Sequence, residues 1–176
     1  MRSISFNPAM LAAVLAGHKT VTRRRFSLSL PVQQEPGRYQ YRELAAAGAL
    51  FEDLRHNQAL LPPVACPFGQ PGEKLRVLED PASSLRVVSI RAEQVRCLTD
   101  AEALAEGIRP REKAGRVQWG GVEPDPDNPD DFCWYNSPTA AFQALLASIY
   151  PTAWARNEWV WVIEFERVPD EEVLGA

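Results

Sequence analysis

Apolar positions fall along this chain in two rhythms. Leu11, Val14 and Leu15 recur at helical spacing between a capping Asn7 and a stopping Gly17. Pro8 suits the first turn there, where its missing N–H would go unpaired anyway, so the pattern predicts a helix over 8–16. Thr99-Asp100-Ala101-Glu102 is a capping box, with Thr99 capping forward and Glu102 reaching back, and it opens a helix over 100–106 that stops at Gly107. Ser137-Pro138 opens a third helix, 138–149, in which Phe142, Leu145, Leu146 and Ile149 form a core-facing stripe.

The second rhythm is that of strands. Ile4-Ser5-Phe6 is a short opening strand, and the β-branched Thr20-Val21-Thr22 continues as another. Residues 38–44 pair with 50–55 as a hairpin; Leu75 and Val77 mark a strand; 85–98 alternates at Val87, Ser89 and Arg91. Trp159–Val168 is apolar on both faces and then alternates, the mark of a central strand. Residues 26–37 read as linker. Residues 109–138 read as a loop insertion: five prolines and, from Glu123 to Asp131, five acids, with Trp119, Phe132, Trp134 and Tyr135 interleaved. Either a lid that stacks on a base or a loop packing its aromatics on the body fits that composition. The sum is one mixed α+β domain over residues 1–176.

Composition narrows the function classes. No apolar run is long enough to span a bilayer, and the Ala/Leu-rich residues 9–16 lack a cleavage site, so a cytoplasmic protein without membrane contact is expected. Three widely spaced cysteines (Cys66, Cys97, Cys133) and two histidines give neither a disulfide framework nor ligand spacing, so neither metal nor cofactor is expected. The chain carries net charge −4, yet no acid precedes Glu35, and Arg2, Lys19, Arg23, Arg24 and Arg25 stand uncompensated. Only three lysines (Lys19, Lys74, Lys113) accompany sixteen arginines, so Lys19 inside an arginine cluster points either to a role that Arg cannot fill or to neutral drift and a structural ion pair. Glu106 is the other anomaly: it sits at the negative end of a helix dipole, four residues after Glu102, both locally unfavourable.

Gly17-His18-Lys19-Thr20-Val21-Thr22-Arg23-Arg24, following a short helix, resembles the signature of the ASCH domain, a relative of the PUA RNA-binding domain. Cys66-Pro67-Phe68-Gly69-Gln70-Pro71-Gly72-Glu73, then Leu75-Arg76-Val77-Leu78-Glu79, Ala105-Glu106-Gly107-Ile108 and the closing Trp159 to Phe165 resemble blocks of phage- and prophage-encoded ASCH-like proteins, in the same order. Three positions depart from that pattern: Arg76 where Trp is common, Asp80 after Glu79, and Glu158 in place of Pro. The resemblance implies a small PUA-like β-barrel flanked by short helices.

It also implies an activity, since some ASCH proteins are small amidohydrolases that deacetylate N4-acetylcytidine without metal or organic cofactor. Their catalytic trio falls here on Lys19, Thr22 and Glu106; Arg23, Arg24, Glu79, Trp134 and Tyr135 are the expected substrate-binding residues, the arginines to hold a ribose or phosphate and the aromatics to stack on a base. The chemistry is coherent: a desolvated lysine beside two arginines is a base for a threonine hydroxyl, and a buried glutamate is an acid for the departing amine. Strict strand alternation would put Lys19 and Thr22 on opposite faces, so the trio requires a backbone still turning near Gly17–Lys19. The alternatives are a plain Lys19–Glu106 ion pair with Thr22 merely β-forming, a noncatalytic RNA- or nucleotide-binding module using the same cleft, and a phage accessory protein acting through protein contacts. The partner is a modified nucleoside or RNA for the hydrolase and for the binding module.

Overall fold

A computed structural model describes residues 1–169. The elements in chain order are β1 (Arg2–Ile4), α1 (Pro8–Leu15), β2 (Val21–Arg25), α2 (Pro31–Gln34), β3 (Tyr39–Ala45), β4 (Gly48–Asp53), β5 (Ala59–Leu60), β6 (Lys74–Val77) and β7 (Ser84–Gln94). They continue as α3 (Asp100–Ala105), β8 (Arg109–Lys113), β9 (Arg116–Pro124), β10 (Phe132–Tyr135), α4 (Pro138–Ile149), α5 (Ala153–Arg156) and β11 (Trp159–Val168). The class is α+β.

The main sheet has five strands in the order β1-β6-β7-β11-β2, antiparallel except for β1 with β6. Its hydrogen-bonded order runs from β1 at one end to β2 at the other. β11 is central, pairing along β7 on one side and β2 on the other, which is why Val160, Trp161, Val162 and Ile163 are all buried. Phe26 stacks on Trp161 at a centroid distance of 4.1 Å, and Phe51 meets both Phe26 and Trp159 edge-on, so β3–β4 closes one end of this core. The caps behave as the sequence implies: Asn7 accepts from the Met10 amide at 2.7 Å, and both halves of the Thr99/Glu102 box form.

Three expectations are corrected. Residues 26–37 are no linker: Phe26, Val32 and Gln33 are buried, and Gln33 bridges the main chain of Phe26 and Trp159. Residues 109–138 are no loop: β8, β9 and β10 form an antiparallel three-stranded sheet, and only the acidic turn between β9 and β10 is irregular. Proline and acid content masked it, because the prolines sit at strand ends and in the turn. On α1 the buried face is Met10, Ala13 and Val14, while Leu15 is exposed. Among the described residues no helix is long and apolar enough to cross a membrane.

Candidate active site

The end of α1 sets the geometry. Ala13 O accepts the amides of both His18 and Lys19, and Gly17 takes a φ of 78°, which turns the chain sharply before β2 begins. The next amide, Thr20 N, donates to Ala105 O at 2.9 Å, and Thr20 O accepts from Phe165 N at 2.9 Å. Lys19 thus lies outside β2, in an isolated bridge with Glu106 at the C-terminus of α3. Gly107 follows with φ 104°, and a Cβ there would meet Ala13 Cβ at 3.1 Å and Lys19 Cβ at 3.4 Å. The turning backbone that the trio requires is present.

Lys19 and Glu106 are 3% and 2% exposed. Lys19 Nζ donates to Glu106 Oε2 at 2.6 Å, Glu106 O at 3.0 Å and Val21 O at 2.8 Å. The other carboxylate oxygen, Oε1, accepts from Arg23 Nη1 at 3.0 Å. Arg23 continues the network outward to Glu93 (3.3 Å) and Glu102 (3.1 Å), which Arg91 ties together nearer the surface. Glu102 therefore caps a helix and carries charge for the site at once.

Burial pushes the Lys19 ammonium below its ordinary pKa; Glu106 opposes that shift, and Arg24 and Arg23 add to it. Glu106 resolves the dipole anomaly: what the helix end disfavours, two buried cations compensate.

Lys19, Thr22, Arg23, Arg24 and Glu106 line one cavity of about 180 Å³. Thr22 is buried, and its Oγ1 accepts from Arg24 Nε at 3.2 Å. Arg24 also donates to Ser5 O at 2.6 Å and lies over the Phe6 ring at 5.2 Å. The facing wall is apolar: Phe6 and Met10, with Phe142, Leu145, Leu146 and Tyr150 from α4 and its C-cap. An engineered cavity of about 150 Å³ takes benzene, so this one has the volume of a single six-membered ring.

The remaining named residues divide. Glu79 lies just outside the cavity lining, holding Ser5 Oγ and the Phe6 amide (3.1 Å) and so fixing the wall. The Ser5 hydroxyl and the Phe6 amide hold its carboxyl below the usual range. Trp134 and Tyr135 are on β10 and do not line the cavity; Trp134 lies under Arg111, and Tyr135 donates to Glu123 at 2.6 Å. The α4 stripe was legible as a helix face but not as a cavity wall, because a packed core and an apolar wall share one pattern. Comparison with models of known families, with curated proteins and with solved structures gives no match.

Proposed function

We propose that this cavity hydrolyses the exocyclic amide of an N4-acetylated cytosine nucleoside, in a domain of the ASCH, PUA-like barrel type. The observation that carries the proposal is the convergence of Lys19, Thr22 and Glu106 on one cavity sized for a single ring. The pyrimidine lies against Phe6 and Phe142, with its acetylated amine toward Thr22.

Lys19 passes a proton to Glu106 Oε2, the nearest acceptor at 2.6 Å, and the resulting amine takes the Thr22 proton. Thr22 Oγ1 attacks the acetyl carbonyl, and Arg24, which donates to Thr22 Oγ1 at 3.2 Å and so lies beside the reacting carbon, stabilises the oxyanion that forms on the carbonyl oxygen. Collapse breaks the C–N bond as Glu106 returns its proton to N4. Lys19 then passes its proton to Glu106 a second time, and the amine takes a proton from water as that water attacks the acetyl-threonine carbonyl. Glu106 protonates Thr22 Oγ1 as the C–O bond breaks, releasing acetic acid, which ionises to acetate, and restoring the ion pair. Catalytic hydrogen bonds commonly tighten only with substrate, which accounts for a resting state in which Lys19 bonds to Glu106 and not to Thr22.

One observation favours a second reading, a noncatalytic nucleotide-binding pocket: all three Lys19 donors have acceptors, the satisfaction pattern of a permanent ammonium. Incubation of the purified protein with N4-acetylcytidine, with acetate and cytidine quantified, separates the two. Saturable release of both products supports hydrolysis. Saturable nucleoside binding with no release leaves the binding pocket.

A further inference from the structure

The β8–β9–β10 sheet carries a second feature, remote in kind from the cavity. In the β8–β9 register, Arg109 faces Gly120, Arg111 faces Gln118, and Lys113 faces Arg116. Side chains alternate along a strand, so these pairs share one face, and Trp134, opposite Gly120, joins them from β10. Four cations therefore occupy one face of a two-stranded ribbon, the three on β8 about 6.6 Å apart and Arg116 across from Lys113 on β9. Among the described residues Arg109, Arg111, Lys113 and Arg116 make no ion pair, although the chain is acidic overall. Lys113 directly opposite Arg116 is a like-charge pair that destabilises a ribbon. Fold stability gives no reason for it.

Arg111 is the built part of this face. Its guanidinium lies over the Trp134 ring at 4.2 Å, and its Nε and Nη2 both donate to Gln118 Oε1 at 3.1 Å. A neutral amide thus holds the group flat and leaves its charge free. Asp131 is the acid that feels Arg111 and Lys113, at longer range than a salt bridge, and its carboxyl is held low first by the Phe132 amide. Gly120 makes room for the arrangement, since a Cβ there would strike Cys133 O at 2.2 Å and Trp134 Cε3 at 3.2 Å. The groove bounded by Arg111, Lys113, Arg116 and Gln118 is open and about 520 Å³.

We infer that this face binds single-stranded RNA, with phosphates along Arg109, Lys113 and Arg116 and an unstacked base on the guanidinium plane of Arg111. The regular row of unneutralised cations fits a polyanion. The fixed planar cation backed by an indole fits a nucleobase, and a duplex, with its bases stacked inside, offers none. β8 starts three residues after Glu106, so the strand and the cavity are joined by Gly107 and Ile108 alone. This deepens the proposed hydrolase, on which it rests for the choice of a ribonucleotide: the substrate is a modified cytidine within a polymer.

The test is binding of a short, mixed-sequence single-stranded RNA across a salt series. Wild type should bind with an affinity that falls linearly with salt on logarithmic axes. Lys113→Gln/Arg116→Gln should lower that slope by about 1.4, at about 0.7 per lost contact on a single strand. The same variant should melt at or above the wild-type temperature, because it removes a like-charge pair. Arg111→Ala should weaken binding roughly tenfold through lost stacking and charge. An unchanged slope in the double variant, no RNA binding by wild type at low salt, or equal binding of polyglutamate would overturn the assignment. Turnover of free N4-acetylcytidine on the same preparations reads the cavity alone. RNA binding without turnover keeps the hairpin site and removes the hydrolase, and turnover without RNA binding does the reverse.

Discussion

Two buried carboxylates in this molecule are built almost alike. Glu158 is fully buried and bonds to Arg25 twice, at 2.7 and 2.8 Å, and to Arg156 at 2.6 Å. Glu106 is as deep and bonds to Lys19 at 2.6 Å and Arg23 at 3.0 Å. Each carboxylate is thus saturated by two cations, and each ties distant segments together: β2, α5 and β11 around Glu158, β2 and α3 around Glu106. The differences lie in what surrounds them. Both partners of Glu158 are guanidiniums, which keep their proton at any physiological pH, and the carboxylate lines no described cavity. One partner of Glu106 is an amine with a lowered pKa, and a hydroxyl and a ring-sized cavity adjoin it. Burial and pairing alone make a structural cluster. Chemistry needs a cation that can let its proton go, and somewhere for a substrate to sit.

Substitutions that exploit this contrast have graded effects. Thr22→Val, nearly isosteric, should cut N4-acetylcytidine turnover by at least about 10⁴-fold while Glu158→Gln leaves it at the wild-type level; steady-state kinetics on both decides whether only one cluster is chemical.

Stability should separate the two less sharply. Glu106→Gln leaves two cations, each with a side chain 2% exposed, facing a neutral amide, a loss of about 3–5 kcal/mol or roughly 6–20 °C in melting temperature. Glu158→Gln should cost less, since Arg25 and Arg156 have side chains 18% and 37% exposed and water compensates them. Equal shifts in calorimetry would erase the distinction.

The smallest effect is in pH. Lys19 has a folded pKa below its unfolded value of 10.5, so the unfolded chain binds more protons in that window and stability rises with pH. The penalty is fully present below the folded pKa and gone above 10.5. The stability of wild type relative to Lys19→Met, from denaturant titrations, should therefore climb as pH rises from neutral toward 10.5. The same comparison with Arg25→Met should stay flat.

Local rules carried much of the fold into the sequence, and tertiary contacts hid the rest. Asn7, Gly17, Thr99 and Glu102 act through their own neighbours, so their roles are readable in order along the chain. The anomaly of Glu106 was readable too, because a locally disfavoured residue needs a distant reason. Arg23 as its second cation, and the route onward to Glu93 and Glu102, depend on β11 holding β2 and β7 on its two sides and on α3 reaching them across some eighty residues, which no pattern encodes. The meander at 109–138 was lost for a different cause: short strands rich in proline and acid at their ends look like a loop. Glu158 stood out only as a departure, and its reason, two arginines from β2 and α5, exists only in three dimensions.

Replacing Lys19 by arginine tests the central claim most directly. Arginine keeps the charge and the attraction for a nucleotide but cannot act as a base at neutral pH. Because Lys19 is buried, the larger group should also cost about 1–3 kcal/mol, so the rate is read on protein shown to be folded by its melting transition. The expected result is a fall in kcat for N4-acetylcytidine of about 10²–10⁴-fold with nucleoside affinity retained. Turnover at the wild-type rate in Lys19→Arg would contradict the account, leaving Lys19 a binding cation and the cavity a pocket without chemistry.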